Sequence, residues 1–253
     1  MSAEQPSTCD SDYLRVDAYL GDVVGARALQ SALTLGLIDR LETGAPCTLA
    51  ELSLARQLDD LACRLLLGML HANGVVSGGD FAIQLTPEFR KALAYRDLIE
   101  AKLDFVCLVA PDFLRAFDDL LTAPQRFFEE ARLFELFSYD RCFDPAPGNI
   151  ENTRRWMKFT TALTRYESAP CIARHDFSRY CRLLDVGGNS GEFALSLCRR
   201  HPQLQVSVLD LPLVCEIGVL HVAGQAEANR IDFIKSSGFG YPFPAGQDAV
   251  TFK

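Results

Sequence analysis

The sequence predicts an α/β protein. A Rossmann-like domain with an incomplete sheet occupies residues 176–253, a helical region spans 98–175, and an all-α, winged-helix domain fills 1–97. Three observations carry this. After Arg182, short apolar strands alternate with helical periodicity, the signature of βαβ units. A glycine turn joins the first of those strands to its helix. Before residue 100, helices are followed by a pair of apolar runs separated by Gly78-Gly79, which reads as a hairpin.

From Tyr13 to Arg40, apolar residues recur at helical spacing, among them Leu14, Ala18, Val24, Ala28, Leu29, Ala32 and Leu33, with Gly36 closing a helix. Thr48 and Glu51 form the sequence pattern of a capping box ahead of a short helix. Asp59-Asp60 open the next helix, since acids favour a helix N-terminus, and it runs to Asn73-Gly74. Val75-Val76 and Phe81 to Leu85 supply the hairpin, and Thr86-Pro87-Glu88 begins another helix.

The default use of a winged helix is DNA binding, and charge opposes it. Residues 1–100 carry 14 acids against 8 Lys or Arg, and the helix that would enter a groove holds Asp59 and Asp60 against one Arg64. A phosphate-lined groove demands the opposite sign. The whole chain of 253 residues has a formal net charge of −8, so no nucleic-acid partner is expected. Hydrophobic residues make up 49%, enough for a sizeable core. Nine cysteines without a C-x-x-C pair predict reduced thiols and a cytoplasmic setting. Four histidines far apart in sequence predict no metal site. No apolar run has the length of a membrane span, and the polar start lacks the apolar core of a signal peptide.

Residues 98–175 are helical and rich in aromatics. Asp144 to Gly148 reads as a loop, with Asn152 capping a helix that contains Trp156, Met157 and Phe159. These three are candidates for a pocket wall; ordinary core packing explains the same spacing.

The stretch Arg182-Leu-Leu-Asp-Val-Gly-Gly-Asn-Ser-Gly191 reads as buried strand, glycine turn and helix start. A second strand, Gln205 to Leu209, ends in Asp210; a helix from Leu213 to about Ala228 and a third strand, Arg230 to Ile234, follow. The glycines stand at 187, 188 and 191, which is not the G-x-G-x-x-G of a dinucleotide site. Asp185 just before the turn would repel a pyrophosphate and favour a cation. Asp210, an acceptor, suits the two hydroxyls of a ribose. That combination fits S-adenosylmethionine, while a glycine turn in some other α/β domain is the plain alternative.

Leu184-Asp-Val-Gly-Gly-Asn-Ser-Gly191, joined to Leu209-Asp-Leu-Pro-Leu-Val214, resembles the S-adenosylmethionine-dependent O-methyltransferases that include hydroxyindole, caffeate and polyketide methyltransferases. The resemblance runs from about Tyr13 to Lys253. It implies a homodimer built by the winged-helix domain and a hydroxylated small-molecule acceptor walled by Trp156, Met157 and Phe159. It implies cofactor contacts at Asp185, Gly187, Gly188, Asp210, Leu211, Ser237, Gly238 and Lys253. Ser236-Ser237-Gly238-Phe239 departs from the family's G-D-F-F, so the acid beside the adenine is replaced by Ser237. Gln247 to Lys253 reads as a fourth strand. The family's general-base histidine and three further strands are expected beyond Lys253, so the 253 residues by themselves are expected to be inactive. A non-catalytic binding or dimerisation protein and a winged-helix regulator are the alternatives.

Overall fold

The computed structural model describes residues 12–237 and 243–252, arranged as two compact units that meet in sequence between Arg132 and Leu133. In the first unit a 3₁₀ segment, Asp12–Tyr19, precedes α1 (Val23–Thr34), α2 (Leu37–Glu42), α3 (Leu49–Arg56) and α4 (Asp60–Ala72). Strands β1 (Val76–Ser77) and β2 (Gln84–Leu85) follow, then α5 (Pro87–Ala92), α6 (Arg96–Thr122) and α7 (Pro124–Glu130). The helical stretch expected from Tyr13 to Gly36 is thus broken at Asp22 into a 3₁₀ segment and α1, and Leu37 and Ile38 after Gly36 belong to a further helix, α2. Asp22 caps α1 by accepting from the Val24 and Gly25 amides, and Gly36, at φ 71°, turns the chain into α2. The Thr48–Glu51 capping box is formed in both directions, and Asp59 and Thr86 cap α4 and α5. Strands β1 and β2 pair antiparallel, so the hairpin exists but is short, with Phe81 fully in solvent at 89% exposure. Tyr19, Leu29, Leu37, Ile38, Leu41, Leu70 and Phe89 are buried in this unit.

The second unit begins with α8 (Leu133–Leu136), a 3₁₀ turn Tyr139–Phe143, and α9 (Pro147–Arg174). The expected cap at Asn152 is corrected: α9 starts five residues earlier, at Pro147, and Asn152 lies inside it. Pro147 at the first helical position needs no amide partner, and the Asp144 side chain accepts from the Ala146 amide, which starts the turn. Then come β3 (Arg182–Val186), α10 (Glu192–Arg200), β4 (Gln205–Asp210), α11 (Pro212–Val222), β5 (Ile231–Lys235) and β6 (Ala249–Phe252). Helix α11 stops at Val222 and does not reach Ala228, because Gly224 adopts φ 79°.

The four strands form one parallel sheet in the order β5-β4-β3-β6. Leu183, Leu184, Val206, Val208 and Leu209 are buried, as parallel strands covered by helices require. Phe193, Ala194, Leu197 and Cys198 of α10 pack on this sheet with Val222 and Ile231. The order reverses direction between β3 and β4 on one side and β3 and β6 on the other. Ligands of open α/β sheets bind outside the carboxyl ends at such a point. Among the described residues, no helix is long and apolar enough to cross a membrane, and no group of His, Cys, Asp or Glu has the arrangement of a metal site.

Two glycines of the first unit test this packing. Gly78 sits at φ 93°, where an added Cβ would overlap the Ala82 carbonyl; Gly78→Ala is expected to lower stability by about 1–3 kcal/mol. Gly68, inside α4, has open space around it; Gly68→Ala is expected to raise stability by about 0.5–1 kcal/mol. Chemical denaturation of both variants checks the two opposite signs.

Candidate active site

The turn after β3 is built on a buried carboxylate. Asp185 is fully buried, and its Oδ1 accepts a 2.6 Å hydrogen bond from Oγ1 of Thr251, its register partner on β6. Its other oxygen lies directly beneath Gly188, where any Cβ would overlap it and the Val208 side chain. Asp185 therefore supports the turn from below and is not among the residues that line the cavity above it. Three residues of the turn take left-handed backbone: Gly187 at φ 71°, Asn189 at φ 55° and Gly191 at φ 78°. Asn189 is the one of the three that is not glycine; a short polar side chain tolerates that region, and its Oδ1 accepts from the Ser190 amide at 2.8 Å.

Asp210, at the carboxyl end of β4, faces the same turn. Its Oδ2 accepts from the Asn189 amide at 2.8 Å and its Oδ1 from the Leu211 amide at 2.7 Å. Burial pushes this carboxyl above the ordinary aspartate range, in spite of the two amides that favour its charged form. Each oxygen keeps a second lone pair for a ligand hydroxyl. Behind it, Cys215 donates to the Asp210 carbonyl, and burial together with the Asp210 charge pushes its thiol up to about 12, so it is unreactive.

A cavity of about 310 Å³ opens over these groups. Its walls are Gly187, Asn189, Asp210 and Leu211 on one side, with Tyr139 and one face of α9 on the other: Trp156, Thr160, Leu163, Thr164 and Glu167. Among these described lining residues there is no Lys, Arg or His.

Two polar ties hold α9 to the turn. Thr161 Oγ1 lies 2.8 Å from Ser190 Oγ in a buried hydrogen bond. One helical turn on, Arg165 Nε donates to Oε1 of Glu192 at 3.4 Å, and Oε2 of Glu192 lies 2.6 Å from His221 Nε2 on α11. Glu192 is buried, and its two polar contacts join α9, α10 and α11 around the end of the turn. Burial by itself raises the Glu192 carboxyl; the His221 hydrogen bond and the Arg165 charge overcome it and hold the group below the usual glutamate range.

Of the residues singled out from the sequence, Trp156, Gly187, Asp210 and Leu211 come together around the cavity, and Gly188 lies in the turn beneath. Met157 is buried at 2% exposure, Phe159 is half-buried and Ser237 is exposed; none of the three lines the cavity. The reason is helical phase: with Trp156 turned inward, its neighbour points about 100° away and the residue three further on falls at the edge of that face. Gly238 and Lys253 lie outside the described residues. Thr160, Thr164, Glu167, Tyr139 and Asn189 were not foreseen. Thr160, Thr164 and Glu167 stand four, eight and eleven residues after Trp156, a signal available from the sequence once one inward residue is known.

Residues 122–253, more than half of the chain, match the O-methyltransferase domain family. The chain is 34% identical over 110 residues to 3-hydroxy-5-methyl-1-naphthoate 3-O-methyltransferase of Streptomyces sahachiroi, a match covering 42% of this chain and 32% of that protein. Its fold is similar to the mitomycin 7-O-methyltransferase MmcR, with a TM-score of 0.71 and 22% identity over 94% of this chain and 69% of that one. It is also similar to human N-acetylserotonin methyltransferase, solved in complex with SAM, at a TM-score of 0.66 and 18% identity over 100% of this chain and 72% of that one.

The depressed Glu192 carboxyl has a pH consequence. A group whose folded pKa lies below its unfolded value stabilises fully above the unfolded value, here about 4.5, and loses that contribution as pH falls through the folded value. The stability difference between the wild type and Glu192→Gln is therefore expected to be constant above pH 4.5 and to shrink below it, as measured by denaturation at a series of pH values.

Proposed function

The chain belongs to the O-methyltransferase domain family, and we propose that its cavity binds S-adenosylmethionine and serves methyl transfer to a hydroxyl of a small aromatic or secondary-metabolite acceptor. The observation that carries this reading is Asp210. A buried carboxylate, held by the Asn189 and Leu211 amides at a sheet switch point, presents acceptors to hydroxyls and excludes a phosphate. The fit extends to the rest of the wall. Left-handed backbone at Gly187 brings main chain against the ligand without a Cβ, and the described lining residues offer two carboxylates and no basic side chain. A dinucleotide, whose pyrophosphate needs donors, suits this surface poorly.

The bound donor would supply an electrophilic methyl on a sulfonium. The chain's part is alignment: Trp156 and Tyr139, packed edge to face with centroids 5.7 Å apart, form an aromatic wall against which a flat acceptor can lie. The ties from Thr161 and Arg165 keep that wall in register with the turn.

We assign the first unit a role in self-association. Helix α4 carries a stripe of Leu61, Leu65 and Met69 exposed at 64%, 61% and 37%, and α1 exposes Val24 at 60%. An apolar, acid-capped helix face fits a protein partner and not a phosphate backbone.

Two outcomes are expected. Asp210→Ala should weaken S-adenosylmethionine by about 1.5–3 kcal/mol, the scale of hydrogen bonds to a charged group; unchanged affinity by calorimetry would remove Asp210 from the site. Light scattering at micromolar concentration should report a dimer that Leu61→Glu with Leu65→Glu converts to monomer; a monomeric wild type would refute the assignment.

A further inference from the structure

We propose that a groove between the carboxyl-terminal half of α9 and the last turns of α10 binds the phosphate group of a small phosphorylated ligand. The groove offers about 490 Å³, within the range of small-molecule pockets. It shares no lining residue with the cavity over the glycine turn, and the proposal stands apart from the cofactor reading. Arg165, Ala169 and Ala173 follow at four-residue spacing along one face of α9, and Ser196, Arg199 and Arg200 lie on one face of α10. The two alanines leave the space open; a long side chain at either position would occupy it.

Three arginines thus line one groove in a chain of net charge −8, and no Asp or Glu lines it among the described residues. Their engagements differ. Arg165 donates through Nε to Glu192 and contributes its charge from that place. Arg199 donates to Gln225 at 3.0 Å and lies 3.6 Å from Glu227. Arg200 is exposed, and among the described residues no hydrogen bond or ion pair engages its guanidinium. Arg199 and Arg200 end α10, where a cation favours the negative end of the helix. That accounts for two basic residues there, but not for their sharing a groove with Arg165 of another helix and with the Ser196 hydroxyl. A planar carboxylate is satisfied by one guanidinium fork, whereas the tetrahedral oxygens of a phosphate dianion accept from several directions at once. Ser196 adds an uncharged donor. The concave shape favours a small ligand over a macromolecule, and the net charge of the chain opposes a nucleic acid.

The test is calorimetric titration with inorganic pyrophosphate and, separately, with malonate, at constant ionic strength and without S-adenosylmethionine. The wild type is expected to bind pyrophosphate saturably at one site per chain and malonate more weakly. Arg200→Gln, a change at an exposed position, is expected to weaken pyrophosphate about tenfold. Ser196→Ala, which alters no charge, is expected to weaken it about threefold. Arg154→Gln removes the same charge from an exposed position on α9 outside the groove and is expected to leave binding within about twofold. Absence of saturable binding to the wild type, unchanged binding by Arg200→Gln and Ser196→Ala, or an equal loss in Arg154→Gln overturns the site. Malonate bound as tightly as pyrophosphate overturns its assignment to phosphate.

Discussion

The glycine turn rests on one buried carboxylate. Asp185 has no exposure to water, and a buried polar group is tolerated only where partners hold it. Thr251 on the neighbouring strand supplies one hydrogen bond, and the absence of a Cβ at Gly188 lets the backbone close over the other oxygen. The left-handed backbone at Gly187, Asn189 and Gly191 follows from that closure, as does the placement of the Asn189 amide against Asp210. One acid thus shapes the turn, and the turn in turn positions the acid that lines the cavity. The pairing Asp185–Thr251 also makes β6 part of the site, although no residue of β6 lines the cavity.

The second constraint is the fastening of α9. A 28-residue helix has many ways to lie across the end of a sheet. Thr161–Ser190 and Arg165–Glu192, one helical turn apart, remove that freedom by fixing both rotation and translation relative to the turn. The residues just before them, Thr160 and Thr164, are thereby presented to the cavity. His221 completes the Glu192 cluster from α11, so the same carboxylate sets three helices at once. A cluster built on one buried carboxylate with more exposed partners contributes geometric definition more surely than net stability, since desolvation of Glu192 offsets much of the gain from its partners.

Charge distinguishes the lining of the cavity. The cavity has acceptors and hydroxyls at its rim and an aromatic pair in its wall, within a chain of net charge −8. The described lining residues include two carboxylates, Asp210 and Glu167, and no Lys, Arg or His, a composition that disfavours an anionic ligand. In the first unit, α4 has an apolar exposed face and an acidic cap, a surface whose charge is opposite to that needed at a phosphate backbone.

Much of the structure was legible locally. The capping box at Thr48, the starts at Asp59 and Thr86, the stop at Gly36, the strands at Arg182, Gln205 and Ile231, and the acid at the end of β4 all rest on hydrogen bonds or backbone preferences spanning a few residues. The misplaced start of α9 and end of α11 were local too: Pro147 and Gly224 carried the signal, and Asn152 and Ala228 were weighed above them. What required the tertiary structure was everything that depends on phase and register across long separations. Spacing alone could not say whether Trp156, Met157 or Phe159 turns inward, since one helix presents each to a different side. Nor could it show that Asp185 faces down to Thr251, 66 residues away, or that Glu192 meets His221, 29 residues away. Those contacts exist only because the sheet order β5-β4-β3-β6 brings the strand ends together, and that order is set by packing of the whole core.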